Sequence, residues 1–134
     1  MHVTTAIATT HAPSAAHLYN QGIRIGDLVF CSGQLPLIAE SGVLVGPNDP
    51  GAQTRQVFAN VAAVLAAAGS SLEHVVKATI FLTSMEDVAA VNAVYADTFT
   101  GTKPARSCIA VRALPHPDAL VEIEVVATRA PSSE

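Results

Sequence analysis

Two short segments in the last third of the chain hold the residue types with most chemical reach. Pro104-Ala105-Arg106-Ser107-Cys108 sets one arginine at the start of an apolar run, and Val121-Glu122-Ile123-Glu124 alternates two carboxylates with aliphatic side chains. A guanidinium offers a planar fork of donors that matches a carboxylate two bonds at a time, and it is costly to bury without an anion. Arg106 therefore either anchors a small carboxylic acid or pairs with one of the chain's own carboxylates. Glu122 and Glu124 share one face of a strand, roughly 6–7 Å apart along its axis. That arrangement suits paired acid and base work or a solvated strand face, and the spacing alone does not choose between them.

Other chemistries lack their residues. His2, His11, His17, His74 and His116 are scattered, with no i, i+4 pair and no cysteine cluster, so no metal is expected. Ser32-Gly33 lacks the flanks of a nucleophile elbow, and no glycine-rich phosphate loop opens a helix, so neither a triad nor a nucleotide cofactor is expected. Cys31 and Cys108 sit in apolar sequence and read as buried thiols; no base for a Cys108 nucleophile is visible. With 7 Lys and Arg against 11 Asp and Glu, the net charge of −4 gives no footprint for nucleic acid. Met1 to Thr10 have no signal-peptide pattern and no later stretch approaches a membrane span, which leads us to expect a cytoplasmic protein.

The 134 residues are expected to form a single domain, residues 1–134, long enough to bury a core. Half the residues are hydrophobic but only 4% are aromatic, so that core is built from Val, Ala, Leu and Ile. Ile23-Arg24-Ile25 and Asp27 to Gly33 read as a hairpin turning at Gly26-Asp27. The Pro- and Gly-rich stretch to Pro50 reads as a loop, with a brief extended piece at Val43-Leu44-Val45. Asn48-Asp49-Pro50 opens a helix whose stripe is Val57, Val61, Val64, Leu65 and Ala68, stopping at Gly69. Val75 to Leu82 is a strand with Val76, Ala78, Ile80 and Leu82 on one face. Ser84 to Asp87 resembles a capping box before a second helix with Val88, Val91, Tyr95 and Phe99 on its stripe. Ala105 to Val111 and Leu120 to Thr128 are two further strands joined through a Pro115 to Asp118 turn, and the tail from Ala130 to Glu134 is expected to fray. A helix between strands implies a crossover, so both helices should cover one face of a mixed sheet and leave the other to solvent, ligand or a partner.

The order of motifs resembles the reactive intermediate deaminase (Rid, or YjgF) family almost from end to end. It is carried by Ala12-Pro13, Tyr19 with Gln21-Gly22, Ser32-Gly33-Gln34, Val76-Lys77-Ala78-Thr79, Val91 to Tyr95, Pro104 to Cys108, and Val121 to Glu124. The resemblance implies an α/β fold of the chorismate-mutase-like, YjgF type: a mixed six-stranded sheet with two helices on one face, assembled as a homotrimer with ligand pockets at the subunit interfaces. It also implies hydrolysis of reactive enamines and imines, such as 2-aminoacrylate and 2-iminopropanoate, to a 2-oxo acid and ammonia.

On the matching positions, Arg106 would clamp the substrate carboxylate and Glu122 would hold and polarise water. Tyr19, Ser32, Gly33 and Cys108 would bind substrate; Tyr19 also reads as an interface or core aromatic. Arg106 beside Glu122 would keep the carboxylate ionised near neutral pH. Where many members carry Gly-Pro before the tyrosine this chain has His17-Leu18. Lys103 stands where an aromatic is common, and the Pro115 to Val121 connection is one residue longer. These departures bear on the substrate. The alternative reading is a non-catalytic sensor of small carboxylates, or a partner-binding trimer of the same fold.

Overall fold

The computed structural model of the protein describes residues 3–131. The end of the tail expected to fray, Ser132 to Glu134, lies outside them, as does His2. The chain runs β1 (Thr4–Ile7), β2 (Gly22–Ile25), β3 (Leu28–Gln34), α1 (Pro50–Ala67), β4 (Val75–Leu82), α2 (Val88–Thr98), β5 (Ala105–Ala110) and β6 (Val121–Thr128), with single 3-10 turns at Leu72–His74 and Met85–Asp87. The strands form one sheet in the order β1-β2-β3-β6-β4-β5. β4 and β5 pair in parallel and the other neighbours antiparallel, so the sheet is mixed as expected.

Local signals account for most boundaries. Gly26 takes φ 56°, the sign that a two-residue hairpin needs at its first turn position. Asp49 caps α1, its side chain accepting from the Ala52 N–H at 3.0 Å, with Pro50 in the first turn where a missing N–H costs nothing. Val57, Phe58, Val61, Val64 and Leu65 of α1 pack with Val91, Tyr95 and Phe99 of α2 against Val29, Cys31, Ala78, Ile80, Val121, Ile123 and Val125 of the sheet. Both helices thus lie on one face. Among the described residues, no helix is long and apolar enough to cross a membrane.

Three local readings are corrected. β1 was not read as a strand because only Ile7 of its four residues is buried, so no alternation marks it. The brief extended piece expected at Val43-Leu44-Val45 is present, held by an isolated bridge from Leu37 to Leu44. The Ser84 hydroxyl accepts from the Glu86 N–H at the 3-10 turn, and Asp87, in the cap position of α2, makes no side-chain cap bond. Finally, Val75 rather than Val76 faces the core: the β4–β6 register shifts between Val75 and Lys77, so Val75 is buried and Val76 is 45% exposed. A bulge resets the parity of the side chains, which simple alternation cannot anticipate.

A second bulge lies in β3. Cys31 pairs with Val125 and Gln34 with Ile123, leaving Ser32 and Gly33 opposite Glu124 alone. Cys31 and Gln34 are therefore both buried on the helix side although they stand three positions apart.

Candidate active site

Cross-strand partners share a face of the sheet, so the ladder places each candidate side chain. Glu122 pairs with Phe81 and Glu124 with Thr79, on the face away from the helices. The Gly33 backbone approaches Glu122 so closely that an added Cβ would lie 2.5 Å from its Oε1. Ser32 fixes this approach from the other side. Its N–H donates to the Gln21 carbonyl at 2.9 Å and its hydroxyl to the Asn20 carbonyl at 2.7 Å.

Those bonds strap the segment carrying Tyr19 to the bulge. Gln21 is buried; its Nε2 donates to the carbonyls of Thr9, Ala12 and Pro13, and its Oε1 accepts from the Thr9 N–H at 2.7 Å. Tyr19 and Gly33 consequently line one cavity of about 180 Å³ with Pro13, Gln34, Leu35 and Leu37. The exposed Tyr19 is not a core aromatic.

Arg106 and Cys108 lie elsewhere. Arg106 pairs with Ala78 and Cys108 with Ile80, both core residues, so the two side chains project from the edge strand β5 towards the helix side. The Arg106 guanidinium sits over the Tyr95 ring, 4.7 Å from its centroid. Cys108 packs partly buried against the core, in keeping with a small hydrophobe. Within one chain, then, Tyr19, Ser32, Gly33 and Glu122 come together, whereas Arg106 and Cys108 form a separate group on the opposite face.

Within one chain Arg106 does not lie beside Glu122. Burial, and then the charge of Glu124, push the Glu122 pKa above its ordinary value. Burial likewise pushes the Cys31 thiol up to about 12, with Glu124 adding to it, which leaves that cysteine unreactive. Sequence reasoning also passed over Tyr95 as a partner of Arg106, treating it as one more position on an apolar stripe. The signal available was a hydroxyl-bearing ring on an otherwise apolar helix face.

Among the described residues, no group of three or more His, Cys, Asp or Glu side chains is arranged to hold a metal ion. The materials on hand for chemistry are a half-buried carboxylate with raised proton affinity, backbone groups of the bulge, an aromatic beside a small cavity, and a guanidinium at a sheet edge.

The family described as endoribonuclease L-PSP matches residues 9–129. The 2-iminobutanoate/2-iminopropanoate deaminase of Escherichia coli K12 is 43% identical over 126 residues, covering 92% of this chain and 96% of that protein. Among solved structures, a member of the conserved Rid protein family from Yersinia pestis superposes with a TM-score of 0.89 at 46% identity, covering 94% of this chain and 99% of that one. TdcF of E. coli, solved with bound serine, gives a TM-score of 0.85 at 39% identity, covering 94% and 99%. The sheet order, the two helices on one face and a match spanning nearly the whole chain all agree: this protein belongs to the Rid/YjgF family, the family described as endoribonuclease L-PSP.

Proposed function

We propose that the protein is a cofactor-independent hydrolytic deaminase of reactive enamines and imines of the 2-aminoacrylate/2-iminopropanoate type, working as one domain whose active site forms where two copies meet in a homotrimer. In this reading Arg106 of one copy clamps the substrate carboxylate, with Cys108 on the same wall. Tyr19, Ser32, Gly33 and Glu122 of the neighbouring copy receive the imine end. The observation that carries the reading is the Glu122 carboxylate lodged against Gly33, half-buried, its proton affinity raised by burial and then by the charge of Glu124. Separation of Arg106 from it within one chain is what an interface site requires. The outer sheet face, where Leu28, Phe30 and Ile109 are each more than 40% exposed, supplies an apolar surface for such an assembly.

An imine carbon is already electrophilic, so the chain needs only to position water and move protons. The enamine first gains a proton at its terminal carbon and loses one from nitrogen, giving the imine. Water adds its hydroxyl to the imine carbon as Glu122 takes its proton, and that proton passes to nitrogen to give a carbinolamine. The carbinolamine hydroxyl then gives its proton to Glu122 as the C–N bond breaks, and nitrogen leaves with that proton as ammonia. A positioned base of this kind supplies about 10²–10⁴-fold, and a carboxylate of raised pKa is a stronger base than an ordinary one. Support for a small amino-acid-like ligand comes from the deaminase relative and from the relative solved with bound serine.

A coupled assay tests this by generating 2-aminoacrylate in situ and following pyruvate release. The wild type should exceed buffer, Arg106→Ala should raise KM, and Glu122→Gln should lower kcat by about 10²–10⁴-fold. Wild-type turnover no faster than buffer overturns the deaminase reading, and pyruvate binding without turnover makes the protein a small-carboxylate sensor. Salt-sensitive RNA cleavage would instead favour the activity in the family's description, against a net charge of −4.

A further inference from the structure

Tyr95 is buried in a cluster with Phe58 of α1 and Phe99 at the end of α2. Its ring centroid lies 4.7 Å from that of Phe99 and 6.1 Å from that of Phe58, and the Phe58 and Phe99 rings meet edge to face at 5.4 Å. Two helices thus fix the ring. The Arg106 guanidinium lies over it. The Tyr95 hydroxyl is buried and has no hydrogen-bond partner among the described residues, so the ring, not the hydroxyl, makes this residue's polar contact.

We infer that Tyr95 is the positioning residue of the carboxylate clamp: its ring, braced by Phe58 and Phe99, holds the Arg106 guanidinium by cation–π contact and sets its fork at the sheet edge. An arginine on an edge strand has four side-chain torsions to order before it can meet a carboxylate two bonds at a time. A ring face beneath the guanidinium orders them in advance while leaving the in-plane N–H donors free, because the cation is attracted to the face and a carboxylate to the rim of the fork. The cost of ordering is then met before the ligand arrives.

The inference rests on the clamp role given to Arg106 above, and its tests separate the two. Replacing the ring should loosen binding of the acid without touching the chemical step. Tyr95→Leu should raise KM, and the Kd for pyruvate measured by calorimetry, about 5- to 30-fold with kcat unchanged. Tyr95→Phe, which keeps the ring and removes only an unpartnered hydroxyl, should restore wild-type KM. A loss in kcat at unchanged KM, or equal defects in the Leu and Phe variants, overturns the inference. An independent readout is the ring-current shift of the Arg106 side-chain protons in NMR spectra. It should be upfield in the wild type and in Tyr95→Phe, and its absence in the wild type overturns the inference even if Tyr95→Leu does not fold. If no imine turns over but pyruvate affinity still falls in Tyr95→Leu, the deaminase reading fails and the positioning role stands. If turnover proceeds with KM unchanged in Tyr95→Leu, the reverse holds.

Discussion

The carboxylate of Glu122 rests against the α-carbon of Gly33, where an alanine methyl would come within 2.5 Å of Oε1. The residue at 33 thereby decides where the carboxylate can be. Because the clash is with the free end of a flexible side chain, Gly33→Ala should displace Glu122 rather than unfold the sheet. The expected result is a loss of about 10²-fold in kcat/KM from misplacement of the base, with a nearly unchanged melting temperature. A variant with full activity would show that the Glu122 position does not matter.

The raised pKa of Glu122 gives a direction to the pH dependence. Burial and Glu124 both favour the protonated acid, so the folded chain binds that proton more tightly than the unfolded chain does. Stability contributed by this group is fully present below the ordinary value of 4.5 and is lost as pH rises through the higher folded value, while activity, which needs the carboxylate, appears over that same rise. The kcat/KM profile should therefore have its acid limb above 4.5, and Glu124→Gln should move it to lower pH. Movement of the limb to higher pH in that variant would contradict the repulsion described.

If one copy supplies Arg106 and its neighbour supplies Glu122, two impaired variants should complement each other. Arg106→Ala and Glu122→Gln, assayed at a substrate concentration well below the raised KM where each alone is slow, should regain a fraction of wild-type turnover when unfolded together and refolded as a mixture. A mixture as inactive as its components would place both residues in a site within one copy.

Gln21 ties the segment before β2 to three carbonyls and one N–H. Gln21→Leu would keep the volume and orphan buried backbone groups, at a cost of roughly 2–4 kcal/mol measured by urea unfolding. Turnover should fall as well, since the same bonds hold Tyr19 beside Gly33. A loss of stability with no effect on turnover would separate the strap from the site.

How far the sequence could be read depended on whether the deciding force was local. α1 was legible at both ends because Asp49, Pro50 and Gly69 act on their own neighbours, and β6 was legible because Val121, Ile123 and Val125 alternate strictly with polar partners. Val76 was assigned to the wrong face because a bulge is a property of a pair of strands, invisible in either alone. The same limit hid the arrangement of the site. Within one chain Arg106 and Glu122 fall on opposite faces, a consequence of the pairing of β5 and β6 with the β4 between them, which no spacing within the chain records. The strap from Gln21 and the ring beneath Arg106 were similarly out of reach, being contacts across 8 to 12 residues in the first case and between α2 and β5 in the second.

The bulge at Ser32-Gly33 makes chain length, as distinct from residue type, a condition of any chemistry at Glu122. Losing one residue between Cys31 and Gln34 would restore simple alternation and keep both buried in register with β6, but it would remove the extra residue that brings the Gly33 backbone against Glu122. In descendants of this chain, the number of residues between Cys31 and Gln34 is thus held as tightly as the glycine at 33.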